Sequence, residues 1–94
     1  MNKYESMIIV NPNVDEEGLK KIEDKFTKLI NKNGKVESVE NRGKKRLAYE
    51  VKKQKEGTYI LFTFEAETDS ITELERVYRI TDDIIKFMTI KKEK

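Results

Sequence analysis

The residues best suited to act on a partner lie in Gly43-Lys44-Lys45-Arg46-Leu47-Ala48-Tyr49-Glu50-Val51-Lys52. This run leads into Gln54-Lys55-Glu56-Gly57-Thr58-Tyr59-Ile60-Leu61-Phe62. Three consecutive cations precede an alternating apolar stretch, a short polar turn and a second apolar stretch. A β-ribbon with a cationic root can lie against a phosphate backbone without reading bases. The same lysines also suit a protected sheet edge, where charge blocks strand-to-strand aggregation. Taken alone, the segment fits both readings.

Chemistry of other kinds is sparsely provided. The 94 residues include no cysteine and no histidine. That removes disulfides, thiolate and imidazole metal ligands, thiol nucleophiles and the usual base near neutral pH. No glycine-rich phosphate loop or nucleophile elbow is present. Asp82-Asp83 falls in a turn and Glu16-Glu17 in a helix's first turn, where carboxylates have ordinary capping and dipole roles. The chain therefore reads as non-enzymatic, with no cofactor and no metal. A net charge of +2, from 20 basic and 18 acidic residues, does not by itself demand a polyanion; what counts is whether the cations are segregated. With no signal sequence and no long apolar run, the expectation is a soluble cytoplasmic protein.

These residues need a frame to position them. The length suits a single domain, 1–94, and an apolar fraction of 36% against 40% charged suits a thin two-layer one. Tyr4, Ser6, Ile8 and Val10 alternate with Glu5, Met7 and Ile9 as a first strand, ended by Asn11-Pro12-Asn13. Leu19, Ile22, Phe26, Leu29 and Ile30 mark a helix that Asp15 or Asn13 can cap and that Asn33-Gly34 can end in a left-handed stop. Val36 to Lys52 reads as a long strand whose phase slips between Val36 and Val39, which a bulge or bend near Asn41-Arg42-Gly43 would explain. Lys53 to Gly57 reads as the hairpin loop, and Thr58 to Ala66 as the next strand. Ser70-Ile71-Thr72-Glu73 is a capping box opening a second helix with Ile71, Leu74, Val77 and Tyr78. Ile84 to Lys91 forms the last strand, and 92–94 a frayed tail. The order β-α-β-β-α-β predicts an α+β, ferredoxin-like fold. Its four-stranded antiparallel sheet carries both helices on one face, with the first and third strands central.

The other face stays open, and strand phase says what it presents. With Ile60, Phe62, Phe64, Ala66, Ile85 and Phe87 toward the helices, the open side carries Met7, Ile9, Tyr59, Leu61, Met88 and Ile90, with lysines around them. Such a contiguous patch suits a protein partner, and its lysine rim suits nucleic acid. Lys3, Lys86, Lys91 and Lys92 come from neighbouring strands and are expected to converge near the strand ends as an anion site. Lys20, Lys21, Lys25 and Lys28 read as a solvated helix face. Arg79 can pair with Asp82 or Asp83 as readily as contact a ligand. The RNA-recognition motif has the same element order, but its third-strand signature fails here. Glu56-Gly57-Thr58-Tyr59-Ile60-Leu61-Phe62-Thr63 lacks the basic residue and all three required aromatics, so base stacking is not the expected mode.

The chain resembles the bacterial ribosomal small-subunit protein six family over essentially its whole length. The resemblance rests on Tyr4-Glu5, Asn11-Pro12-Asn13, the signature Gly43-Lys44-Lys45-Arg46-Leu47-Ala48-Tyr49-Glu50-Val51-Lys52, and Arg79-Ile80-Thr81-Asp82 before a basic last strand with Met88 and Lys91. It implies a ferredoxin-like structural protein of the small ribosomal subunit. Such a protein is a monomer when isolated. It pairs with small-subunit protein eighteen and binds the central domain of 16S ribosomal RNA during assembly. It also implies RNA contact at Lys3, Tyr4, Arg46, Arg79, Lys86, Lys91 and Lys92. Tyr4, however, shares the phase of the core residues. Met7, Ile9, Lys44, Lys45, Tyr59, Leu61, Met88 and Ile90 are left as the surface for a protein partner. The chain lacks the long acidic tail of some members.

Two competing readings use the same fold. A small-molecule regulatory module needs a pocket between helix and strand, with Gly18 and Asn11 as candidates. An acylphosphatase-like enzyme needs an arginine-bearing phosphate loop after the first strand, which Asn11-Pro12-Asn13-Val14 does not supply.

Overall fold

Local patterning becomes a four-stranded sheet because burial alternates along most of the two central strands and each helix carries one apolar stripe. The computed structural model describes residues 1–92; positions 93–94 of the expected frayed tail lie outside the described residues. The elements are β1 (Asn2–Val10), α1 (Glu16–Asn31), β2 (Gly34–Val51), β3 (Gln54–Ala66), α2 (Thr68–Ile80) and β4 (Ile84–Lys91). The sheet order is β2-β3-β1-β4, antiparallel throughout. The ferredoxin-like arrangement, with the first and third strands central, is as the sequence predicts.

The core lies between this sheet and the two helices. Tyr4, Ile8 and Val10 of β1 meet Ile60, Phe62, Phe64 and Ala66 of β3. From the helices come Leu19, Ile22, Phe26 and Ile30, then Leu74 and Tyr78. Burying each of Phe26, Phe62 and Phe64 contributes roughly 1.5–3 kcal/mol. The Tyr78 ring lies between Phe26 and Phe87, with centroids 4.8 and 5.2 Å away.

Several expected details differ. The phase slip in β2 is resolved at Glu37, where the register shifts between Val36 and Ser38 and lets Val36 and Val39 face the helices opposite Phe64 and Phe62. A second shift, between Asn41 and Gly43, does occur where the bend was expected. The loop expected over 53–57 is a tight turn at Lys52-Lys53, both at positive φ (48° and 65°), between paired Val51 and Gln54. Asp15 caps α1 by accepting from the Gly18 amide at 2.8 Å. The C-cap is Lys32 in ordinary helical conformation, not a left-handed glycine, and Gly34 already belongs to β2. In α2 the box at Ser70 is bypassed. The helix begins at Thr68, whose hydroxyl lies 3.2 Å from the Asn2 amide nitrogen and 3.3 Å from the Tyr4 phenol. These contacts to β1 fix the start two residues early. Lys92 is not frayed: its amide donates to the Lys3 carbonyl at 2.8 Å.

Candidate nucleic-acid and partner interface

Facing β1, β3 and β4 residues form rows across the open side of the sheet. The central row is Leu61–Met7–Met88, and the next is Thr63–Glu5–Ile90. Met88 and Ile90 are 62% and 51% exposed, while Met7, Leu61 and Tyr59 are half-buried. The third row is Tyr59–Ile9–Lys86. Ile9 sits on the open face by phase, yet it is only 7% exposed. Gly57, which has no side chain, lies beneath it: a Cβ there would strike Ile9 Cγ2 and come within 3.5 Å of Ile85 Cδ1. Ile85, expected in the helix-side core, turns instead to this side, because the register shifts where β4 meets Ile9 and Val10. Ile9 and Ile85 thus form a small second core under the open face. Ile9 offers little surface to a partner, so its expected place there is corrected.

The seven expected RNA-contact residues do not converge. Lys3 and Lys92 meet at one end of the sheet, where Lys3 faces Glu37 at 3.4 Å and Lys92 faces Glu5 at 3.7 Å. Lys91 pairs with Tyr4 and so projects toward the helix side. Tyr4 itself is core: 6% exposed, stacked on Phe64 at 5.8 Å, its hydroxyl on Thr68. Its ring has no free face for RNA, because the even phase of β1 is the buried one. Arg79 lies over the Phe87 ring at 5.6 Å rather than pairing with Asp82 or Asp83. Lys86 lies at the opposite end of β4 from Lys91, five residues or roughly 17 Å away. Arg46 stands on the β2–β3 hairpin, opposite Glu56.

That hairpin reaches across the sheet. Lys86 Nζ lies 2.9 Å from the Tyr49 hydroxyl and 5.0 Å from its ring centre, although Tyr49 belongs to one edge strand and Lys86 to the other. The ammonium donates to the phenol oxygen. This hydrogen bond, and then the charge itself, lowers the Tyr49 phenol below its usual value and raises the Lys86 ammonium. Lys45 lies over the Tyr59 ring at 5.7 Å. Lys44, Lys45, Arg46, Lys52, Lys53 and Lys55 are exposed and, among the described residues, take part in no ion pair.

Little supports a small-molecule or metal site. The described residues contain no group of carboxylates arranged to hold a metal. A concavity beside the start of α1 is lined by Asp15, Glu16, Asn41 and Lys44 among others, but by neither Gly18 nor Asn11. The Gly18 amide is spent on the cap. The Asn11 side chain accepts from the Asn13 amide at 2.9 Å. None of the described helices is long and apolar enough to cross a membrane.

The model of the ribosomal protein S6 family matches residues 3–91. The chain belongs to this family. It is 50% identical over 94 residues to the small ribosomal subunit protein bS6 of Clostridium botulinum, covering 99% of this chain and all of that protein. Against the bS6 of Clostridium acetobutylicum the identity is 46% over 95 residues, with both chains covered completely. The crystal structure of 30S ribosomal protein S6 from Thermotoga maritima superposes with a TM-score of 0.91 at 38% identity, over 97% of this chain and 87% of that one. An Arabidopsis thaliana protein at TM-score 0.58 and 12% identity shares the fold alone. Family membership makes this a small ribosomal subunit protein.

One contact of the hairpin escapes sequence reasoning. Tyr49 stands in the signature run, but nothing in its spacing shows that it meets Lys86 across the sheet. The available signal is an aromatic residue placed among cations in a strand too long for the sheet it borders.

Proposed function

We propose that this chain is a non-enzymatic building block of the bacterial small ribosomal subunit, acting in the cytoplasm. In this reading it binds the central domain of 16S ribosomal RNA together with small-subunit protein eighteen. It is a monomer until that partner joins it. The observation that carries the reading is the open sheet face, an apolar row of Leu61, Met7 and Met88 with Lys44, Lys45 and Lys86 toward one end, none of them in an ion pair among the described residues. A protein partner covers the apolar row together with Tyr59, Ile90, Lys44 and Lys45. RNA phosphates take Lys86 and Arg46 at one end and Lys3, Lys91 and Lys92 at the other, with Arg79 on the helix side over Phe87. The contacts are to backbone and shape, as expected for paired or junction RNA without stacking aromatics.

The test is filter binding of a central-domain transcript with and without protein eighteen, repeated across salt concentration. Tight binding that needs the second protein and weakens steeply with salt supports the reading. Binding that is indifferent to both would overturn it.

A further inference from the structure

Sulfur chemistry in this chain is confined to three methionines, because it has no cysteine. Met1 precedes β1. The other two stand directly opposite each other, Met7 on β1 and Met88 on β4. Both project to the open face, where they supply two of the three members of the apolar row Leu61–Met7–Met88.

Sheet order makes the two unequal. Met7 lies on a central strand between Leu61 and Met88 and is half-buried. Met88 lies on an edge strand, with no strand beyond it, and is 62% exposed. A peroxide can therefore reach the Met88 sulfur more readily than the Met7 sulfur in the free protein.

Oxidation changes what this position presents. The thioether is apolar and polarizable, whereas the sulfoxide carries a polar oxygen. In the free protein water solvates that oxygen. Beneath a partner it needs a donor, and the row supplies none: Leu61 and Met7 have no donor in their side chains. Along β4, Ile90 has none either, and Lys86 is turned to the Tyr49 hydroxyl at 2.9 Å. An acceptor buried without a donor weakens association. The fold itself is spared, because Met88 is not part of the core.

We propose that Met88 is a reversible oxidation site that controls docking of the protein partner on the open face. In the forward step a lone pair on the Met88 sulfur attacks one oxygen of hydrogen peroxide and the O–O bond breaks. The departing hydroxide takes the proton left on the transferred oxygen and becomes water. Sulfur loses two electrons and the peroxide gains them. A methionine sulfoxide reductase reverses the step: the oxygen leaves as water while two thiols become a disulfide. This rests on the reading that protein eighteen covers the apolar row.

The experiment treats the protein with hydrogen peroxide, removes the peroxide, and then measures binding of protein eighteen. Trypsin places the three methionines on separate peptides, residues 1–3, 4–20 and 87–91, so mass spectrometry reads each sulfoxide by itself. Met88 is expected to oxidise several-fold faster than Met7. Once oxidised, it is expected to weaken binding by about tenfold with an unchanged urea midpoint, and reductase treatment restores the affinity. Met88→Leu keeps an apolar side chain of similar size that peroxide does not oxidise. Its treated and untreated forms should therefore bind alike. Equal binding by untreated protein and by protein fully oxidised at Met88 would overturn the inference. An equal loss in treated Met88→Leu, or a fall in the urea midpoint alongside the loss, would do the same. Each of these results leaves the partner reading intact. Failure of the untreated protein to bind protein eighteen would overturn both.

Discussion

The Ser6 hydroxyl lies 2.8 Å from the Tyr78 phenol, which joins the central strand β1 to α2 inside the core. Ser6 also lies 3.0 Å from the Thr89 hydroxyl on β4. Three hydroxyls from three elements thus form a polar chain among apolar neighbours, with Ser6 and Tyr78 almost wholly inaccessible. Among the described residues, no buried side-chain nitrogen or oxygen lacks a partner. The chain fixes how α2 sits over the sheet, which packing alone constrains less sharply.

Removing either end of this contact has unequal consequences. Ser6→Ala leaves the Tyr78 hydroxyl buried without its partner and is expected to cost about 1–3 kcal/mol. Tyr78→Phe removes a hydroxyl but leaves Ser6 bonded to Thr89, so its expected cost is about 0.5–1.5 kcal/mol. Urea unfolding of both variants and of the double variant measures the difference. A double variant no worse than Tyr78→Phe fits the buried pair; strict additivity counts against it.

The buried phenol also sets a limit at alkaline pH. Burial, only partly offset by the Ser6 hydrogen bond, raises the Tyr78 phenol well above its ordinary value of 10.0. In the unfolded chain the phenol loses its proton near pH 10, whereas in the fold it keeps it. The unfolded state then binds fewer protons, so stability falls as pH rises past about 10 and is fully present below that. The expected slope from this one group is about 1.4 kcal/mol per pH unit. Urea midpoints between pH 8 and 11 should fall more steeply for the unaltered protein than for Tyr78→Phe. Equal slopes would show that Tyr78 does not contribute.

What was readable in the chain follows from which forces are local. The alternation in β1 and β3 and the stripe in α1 report burial directly, so element order, sheet order and most of the core follow from them. The slip between Val36 and Val39 signals a bulge, but its location at Glu37 depends on pairing with Phe64 and Thr63 across the sheet. Phase also places Ile9 on the open side correctly. Its burial depends on an absent side chain at Gly57 and on a register shift that turns Ile85 toward it, and no period records either. The scattering of the expected cations has a simpler origin. Lys86 and Lys91 lie on one strand, and five residues of extended chain put them at opposite ends of it, roughly 17 Å apart. The Tyr49–Lys86 contact depends on the curl of a hairpin arm, which sequence spacing does not encode.

The turn at Lys52-Lys53 invites stabilisation. Two L-residues in left-handed backbone each carry a steric cost of about 1–2 kcal/mol, and Asn-Gly relieves most of it. The double substitution K52N/K53G should therefore raise stability by about 1 kcal/mol, after allowing for the extra freedom of glycine in the unfolded chain. The urea midpoint reads this directly. A fall in stability would mean that the lysines make compensating contacts in the folded state.

Glycine at two positions of the same hairpin answers different needs, and a pair of substitutions separates them. At Gly43 the backbone has φ +82° and an added Cβ meets nothing within 4 Å. Gly43→Ala therefore costs only the left-handed backbone, about 1–2 kcal/mol. At Gly57 no such conformation is needed; an added Cβ strikes Ile9 Cγ2 and comes within 3.2 Å of the Val10 carbonyl. Gly57→Ala must push Ile9 off the second core, at an expected 1–3 kcal/mol. Ile9→Ala removes the struck methyl, so it should soften the cost of Gly57→Ala and leave that of Gly43→Ala unchanged. If Ile9→Ala adds equally to both, Gly57 is not required by close approach, and another cause must hold Ile9 beneath the open face.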